Sequence, residues 1–195
     1  TLFGILSGHA LLETARDALF LGSLPATRLP WMYLLIALIS IGLMQVQSFA
    51  PSGRSNRAVL GGLILGSGVF TAGLWALLGR HAPPWVLYAV YVWVGVFATM
   101  VVTRFWLVVE DVFTVTQAKR VFAIIGAGSV LGAIVGSGLA RGLSEVVDPR
   151  HFLLFAAGIL GLTGLLPMAL LHTAEETRGR DVEHRHPSHA LHWKH

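Results

Sequence analysis

The sequence contains no cysteine and few charged residues. None of its 195 residues is cysteine, and Asp, Glu, Lys and Arg together make up only 12% of the chain. The absence of cysteine excludes disulfide bonds and thiolate metal sites. A soluble domain carries about 25% charged residues, whereas this chain has half that share and is 54% hydrophobic. The composition therefore indicates a protein embedded in lipid.

Sequence motifs of common enzymes are also absent. The chain has no GxxxxGK[ST] phosphate loop, no HExxH motif and no GxSxG elbow, so neither an enzyme nor a bound cofactor is expected. The net charge is +4, but the basic residues mark the ends of apolar runs rather than forming one cluster. Basic residues at the ends of apolar runs are typical of membrane proteins, in which they set the topology. No nucleic-acid partner is predicted.

Long apolar segments dominate the chain and predict an all-α polytopic membrane protein with about six transmembrane helices. Residues 1–172 would form this bundle in the lipid bilayer, and residues 173–195 a polar, histidine-rich tail or linker. The predicted helices cover residues 2–21, 31–49, 58–78, 85–109, 121–143 and 151–171.

Residues 121–143 can be interpreted in two ways. Gly126, Gly128 and Gly132 form a GxGxxxG pattern, with an acidic residue about 20 positions later, which is typical of a dinucleotide-binding turn. However, the segment is long enough to cross a bilayer, and Gly128, Gly132 and Gly136 recur every fourth residue. Such a small-residue face allows close helix packing. Because the flanking segments are also long and apolar, the transmembrane interpretation is favoured.

Charged residues inside the predicted helices are the candidates for function. Glu13, Arg16 and Asp17 lie on one side of the first helix. Since each such charge is costly near the centre of the membrane, they should face a protein interior or an aqueous cavity. Alternatively, they form an ion pair at the interface. Arg104 in the fourth helix has the same two options: it reaches the interface, or it points into the bundle and pairs with an acid.

The histidines near the end of the chain are weak metal-ligand candidates. His184, His186 and His189 lie in a polar, charged stretch. Imidazoles bind zinc, nickel or copper, but no carboxylate or fold fixes their geometry here. A solvated tail is the favoured interpretation, so no functional metal site is predicted.

Arginine and lysine counts predict the orientation of the chain. The side with the larger number of basic residues is expected to face the cytoplasm, which would make both termini cytoplasmic. That side would carry Arg54, Arg57, Lys119, Arg120, Arg178, Arg180, Arg185 and Lys194, against Arg28, Arg80, Arg141 and Arg150 on the other.

Two stretches resemble a known family. Residues 15–35, ARDALFLGSLPATRLPWMYLL, and residues 104–136, which include AKRVFAIIGAGSVLG, resemble bacterial transporters related to the ATP/ADP translocases, within the major facilitator superfamily. The order of six helices resembles the N-terminal half of such a transporter, in the bacterial inner membrane. The loop PSGRSNRAVLGG departs from the common facilitator motif because it lacks the usual aspartate.

The resemblance implies a transport domain for an anionic solute that works with a second half. Glu13, Arg16, Asp17 and Arg104 would line its cavity, and Lys119 and Arg120 would lie at its cytoplasmic mouth. The alternative is a non-catalytic, transporter-derived subunit of a larger membrane complex. In that case the glycine faces, including Gly128, Gly132 and Gly136, would contact neighbouring subunits.

Overall fold

The computed structural model of this chain is built from helices and confirms the all-α class. It describes the backbone of residues 1–48, 56–79, 83–112 and 115–184, and the side chains of residues 1–46, 56–79, 83–112 and 122–166. No strand occurs in these ranges. The helices are α1 (Leu2–Ser23), a 3₁₀ turn (Ala26–Arg28), α2 (Leu29–Ser48), α3 (Asn56–Leu77), α4 (Pro84–Val112), α5 (Val115–Ser144) and α6 (Pro149–His184).

Five helices are long and apolar enough to cross a membrane, which supports an integral membrane protein. Within the described residues, these are α2 to α6. The first helix is also long, with 22 residues, but it does not meet the same criteria because it contains three charged residues. By length and composition, five of the described helices could therefore cross a membrane. The charged helix α1 is not one of these five.

Local sequence signals explain how several helices begin. The Asp148 carboxylate accepts a hydrogen bond of 2.9 Å from the backbone N–H of Arg150, so it caps the start of α6. Pro149 and Pro84 are the first residues of α6 and α4, a position where proline loses no intrahelical hydrogen bond. Pro25, in extended conformation, precedes the 3₁₀ turn that leads into α2. Proline and an acidic cap therefore set the turns at one end of the bundle.

The last helix extends further than its hydropathy predicted. The apolar run predicts an end near residue 171, whereas α6 continues through Pro167 to His184. Hydropathy marks the part of a helix that suits lipid, but the following residues are rich in Glu and Arg, which are good helix formers in water. The first part of the segment predicted as a tail is therefore helical. Residues 185–195 lie outside the described part of the chain.

The helices pack around a ring of four. In this ring α1 contacts α6, α6 contacts α3, α3 contacts α4, and α4 returns to α1. Outside the ring, α5 packs on α1 and α2 packs on α4. The core inside the ring is apolar, and its fully buried residues include Leu11, Ile64, Val94, Leu153 and Leu160.

This packing pattern repeats itself when the first three helices are exchanged with the last three. Replacing α1 by α4, α2 by α5 and α3 by α6 turns each of the contacts just described into another contact of the same set. The pairs α1–α4 and α3–α6 map onto themselves. Because each unit has three helices, the two units would cross a membrane in opposite directions. The contacts between the described helices thus follow the pattern expected of an inverted three-plus-three repeat.

Two of the three predicted packing glycines lie directly against α1. A Cβ atom on Gly132 would overlap the carbonyl of Phe3, and one on Gly136 would lie 2.8 Å from Ser7 Cα. The Ser7 hydroxyl also donates a buried hydrogen bond of 2.9 Å to the Gly132 carbonyl. In contrast, no residue of another described helix comes within 4 Å of the corresponding position on Gly128. The close approach of α5 is therefore made within the chain, and α1 already covers the surface at Gly132 and Gly136.

The outer helices leave most of their apolar surface uncovered. In the apolar spans of α2 and α5, 6% and 11% of the residues are buried, compared with 39–44% in α3, α4 and α6. Large side chains such as Leu38, Ile124 and Ile134 are exposed. A surface this apolar is compatible with lipid contact on these helices.

Candidate functional site

Four polar residues share one face of α1, and this face lies against α4. His9, Glu13, Arg16 and Asp17 are spaced so that successive members are about one helical turn apart or adjacent. The His9 ring lies 6.4 Å from the ring of Phe97, between centroids, and the Arg16 guanidinium lies over the ring of Tyr91 on α4. We call these four residues the α1 polar cluster.

Arg16 is the buried centre of the cluster. Its side chain is 8% exposed, and its Nε donates a hydrogen bond of 2.8 Å to Asp17 Oδ1. One terminal nitrogen lies 3.9 Å from Glu13 Oε1. Burial of an isolated charge costs several kcal/mol, so a buried arginine requires such partners. The two carboxylates neutralise Arg16 where the helices around it are apolar.

An aromatic ring supplies the third contact of Arg16. The guanidinium carbon lies 4.4 Å from the centroid of the Tyr91 ring, which is within the range of a cation–π interaction. Tyr91 is itself buried and packs against Phe20 of α1, with centroids 4.7 Å apart, and against Tyr33 of α2, at 6.1 Å. The guanidinium plane is thus held between carboxylates on its own helix and an aromatic wall from α2 and α4.

The two carboxylates of the cluster are more accessible than the arginine. The side chains of Glu13 and Asp17 are each 49% exposed, whereas Arg16 is buried behind them. His9 lies one turn before Glu13, and its Nε2 is 3.5 Å from Glu13 Oε1. Its Nδ1 is buried and has no hydrogen-bond partner among the described residues. A solute that approaches from the side on which Glu13 and Asp17 are exposed therefore contacts these acids before it reaches Arg16.

This arrangement suits reversible binding of an anion. A planar guanidinium can hold a carboxylate or a phosphate through two parallel N–H groups. In the observed state Asp17 occupies the Nε side of Arg16. An incoming anion can replace a carboxylate on Arg16, and the displaced half-exposed acid can turn toward the open side. An anion of this kind would therefore compete with Glu13 and Asp17 for the same guanidinium.

Arg104, the remaining predicted cavity residue, is not brought to this cluster. Arg104 lies on α4, about 20 Å along the helix from Tyr91, and it is partly buried. It therefore lies toward the opposite end of the bundle from Tyr91. Glu13 and Asp17 contact Arg16. Lys119 and Arg120 belong to the backbone of α5, but their side chains lie outside the described residues.

No metal site is found in the part of the chain that the structure describes. No group of three or more His, Asp or Glu side chains there has the geometry to hold an ion. His184 is the last residue of α6, and its side chain is not among those described, while His186 and His189 lie beyond the described residues. The expectation for these histidines stays a prediction.

Sequence reasoning missed two members of the site. His9 lies four residues before Glu13, and this spacing is a signal that could have placed it on the same face. Tyr91 gave no comparable signal, because α4 is rich in aromatic residues and any of them could have faced lipid. Only the packing of α4 on α1 distinguishes Tyr91 from its neighbours.

The chain was compared with protein-family models, with curated proteins and with solved structures, and none of them matches it. The relationship to facilitator-type transporters therefore stays a resemblance carried by the residues quoted above.

Proposed function

We propose that this chain is a membrane transport domain for an anionic solute and acts as one half of a two-half transporter of the facilitator type. The observation that carries the proposal is the α1 polar cluster, in which Arg16 is buried between apolar helices and is held by exchangeable carboxylates. A charge in the middle of a membrane helix costs about 2.5–3.5 kcal/mol on insertion scales, so such residues generally mark a solute path.

The inverted three-plus-three packing supports the same conclusion. Repeats of this kind occur in secondary transporters, whose substrate sites lie near the middle of the membrane between the repeats. Here the cluster lies where α1 of the first unit meets α4 of the second unit. Of the two helix pairs that map onto themselves, this one holds a buried arginine beside two carboxylates, whereas the other has Arg150 against Trp75 at its end.

A second half would complete the site. Glu13 and Asp17 are half exposed in the six-helix unit, and α2 and α5 show little burial. A second six-helix unit packed over the exposed side of α1 would enclose the acids, and rocking of the two units would expose Arg16 to each side in turn. Within the proposal, the unit resides in the bacterial inner membrane with both termini in the cytoplasm.

Exchange measurements on liposomes test this function. The full-length protein is reconstituted, and uptake of radiolabelled ATP, ADP and inorganic phosphate is measured with and without the same anion inside. We expect exchange of at least one of these anions, and a loss of about 100-fold or more in Arg16→Gln, since removing a buried charge contact typically costs 2–5 kcal/mol. Arg141→Gln, an exposed arginine in the last turn of α5, is the matched control.

If Arg16→Gln exchanges every transported anion at the wild-type rate, the cluster is not the binding site. If wild-type liposomes transport none of the panel while the purified protein is also not stabilised thermally by any of these anions, the anionic-solute assignment is wrong.

A structural subunit of a larger membrane complex is the second candidate. The observation in its favour is the uncovered apolar surface of α2 and α5, which exceeds what the core helices leave exposed. The predicted subunit contact at Gly132 and Gly136 is not available to a neighbour, because α1 already covers both glycines. Co-purification with Leu38→Arg and Ile134→Arg variants distinguishes the candidates: loss of a stoichiometric partner together with unchanged anion exchange supports the subunit.

A further inference from the structure

A groove at one end of α2 combines a cationic rim with an apolar floor. The groove has a volume of about 470 Å³ and is lined by Arg28, Trp31, Met32, Leu35 and Tyr88. It lies between the start of α2 and the first turns of α4, where Met32 and Tyr88 pack in the same cluster as Tyr91. Arg28 and Leu35 are not part of the α1 polar cluster, and the interpretation of the groove does not depend on the transport function.

The depth of these residues in the membrane follows from the helices that carry them. Both α2 and α4 begin at the same end of the bundle, where Trp31 and Trp85 are largely exposed. Tryptophan at a helix end is typical of the membrane–water interface. Arg28 lies at that level, and Leu35 lies about 10 Å deeper along α2. The rim of the groove is therefore at the depth of lipid headgroups and its floor at the depth of acyl chains.

The polar partner of Arg28 within the described chain is the neutral hydroxyl of Tyr88. Its guanidinium donates a hydrogen bond to the Tyr88 hydroxyl, and its guanidinium carbon lies 5.8 Å from the Tyr88 ring centroid. None of the described carboxylates lies within ion-pair distance of it. The contact with Tyr88 orients the guanidinium at the rim and leaves its positive charge uncompensated.

We propose that this groove binds an anionic phospholipid from the surrounding bilayer. The lipid phosphate would accept hydrogen bonds from Arg28, and the Trp31 indole and Tyr88 hydroxyl would lie beside the glycerol region. One acyl chain would follow Met32 and Leu35, which lie on the same face of α2 as Arg28, one and two turns deeper. Because the floor is apolar, the site selects a lipid rather than a free anion.

Native mass spectrometry of the purified full-length protein tests the selectivity. The protein is titrated in detergent with phosphatidylglycerol or with phosphatidylcholine of the same acyl chains, and bound lipid is counted. We expect about fivefold higher occupancy of one site by phosphatidylglycerol, and loss of that preference in Arg28→Gln, since one interfacial arginine contributes this much attraction to anionic lipid. Arg141→Gln, at the same end of the bundle, should keep the preference.

A second measurement locates the lipid and separates its possible sources. Phosphatidylglycerol with a photoreactive acyl chain should label the segment that contains Met32 and Leu35, and Leu35→Trp, which fills the floor, should reduce this labelling about fivefold or more. Millimolar inorganic phosphate should not compete. Wild-type preference in Arg28→Gln, displacement by phosphate alone, or labelling elsewhere because another protein segment covers the groove would each overturn the proposal. If Arg28→Gln does not elute as a monodisperse species, the labelling of the wild type and of Leu35→Trp decides the question.

Discussion

Two helix pairs at the centre of the bundle, α3–α6 and α1–α4, each map onto themselves in the repeat. They are built from different side chains. Between α3 and α6 the closest approaches are made at glycines: a Cβ on Gly68 would lie 3.1 Å from the Ala157 carbonyl, and one on Gly164 would lie 2.8 Å from Leu65 Cγ. Between α1 and α4 the contacts are made by Arg16, Tyr91 and other large side chains. The first pair comes closest at glycines and has polar contacts of Trp75 with α6 near its end, whereas the second holds a buried arginine within the contact.

This difference shows how one fold can hold a rigid side and an adaptable side. Close contacts between glycine and backbone tolerate little displacement, because the atoms are already at van der Waals distance. A guanidinium between two carboxylates and a ring can exchange partners with small rotations of its side chains. We therefore expect α3–α6 to act as the scaffold and α1–α4 as the site.

The largest effect should come from filling the α3–α6 contact. Gly164→Leu introduces a side chain where even a Cβ is too close to Leu65, so we expect a loss of about 3 kcal/mol or more in the free energy of unfolding. Gly158→Leu on the same helix is the control, since no other described helix comes within 4 Å of a Cβ there. Thermal aggregation followed by size-exclusion chromatography measures both. Equal midpoints for the two variants would mean that the contact is not tight.

Removing the buried charge of α1 should have an intermediate effect on stability. Arg16→Leu leaves the carboxylates of Glu13 and Asp17 without their cation, and we expect a loss of about 2 kcal/mol, below the 3–5 kcal/mol typical of fully buried pairs because these acids are half exposed. Adding Asp17→Asn should recover part of the loss. A double-mutant cycle on unfolding in denaturant measures the coupling, and strictly additive losses would show that the pair does not stabilise the fold.

The smallest effect should come from the hydroxyl of Tyr91. This hydroxyl is buried without a hydrogen-bond partner among the described residues, and the cation–π contact needs only the ring. Tyr91→Phe should therefore change the free energy of unfolding by no more than about 0.5 kcal/mol and leave anion exchange intact. Tyr91→Leu, which removes the ring, is the contrasting variant. A strong loss of exchange in Tyr91→Phe would show that the hydroxyl itself contacts the solute.

The sequence was informative about periodic features and uninformative about which surfaces meet. Hydropathy located the helices, and helical spacing placed Glu13, Arg16 and Asp17 on one side of α1. The identical spacing of Gly128, Gly132 and Gly136 could not show that only two of them face α1. In the structure, Phe3 lies opposite Gly132 and Ser7 opposite Gly136.

The aromatic contact was beyond sequence reasoning for a related reason. Local spacing determines which residues share a helix face, but the partner of that face depends on how two distant helices dock. Tyr91 is one of many aromatic residues in α4, and its role follows from the crossing of α1 and α4 alone. The end of α6 was mispredicted because hydropathy reports the preference for lipid and not the preference for helix.

The arrangement around Arg16 also has a consequence for synthesis. Its acidic partners Glu13 and Asp17 are three residues before it and one residue after it, so the charge can be neutralised as soon as α1 forms. Its aromatic partner Tyr91 leaves the ribosome roughly 75 residues later, which at about 5–20 residues per second is a delay of about 4–15 s. During that interval only the local ion pairs can hold the arginine in the membrane. Neighbouring acids would thus let α1 enter the bilayer before the helix that completes its site exists.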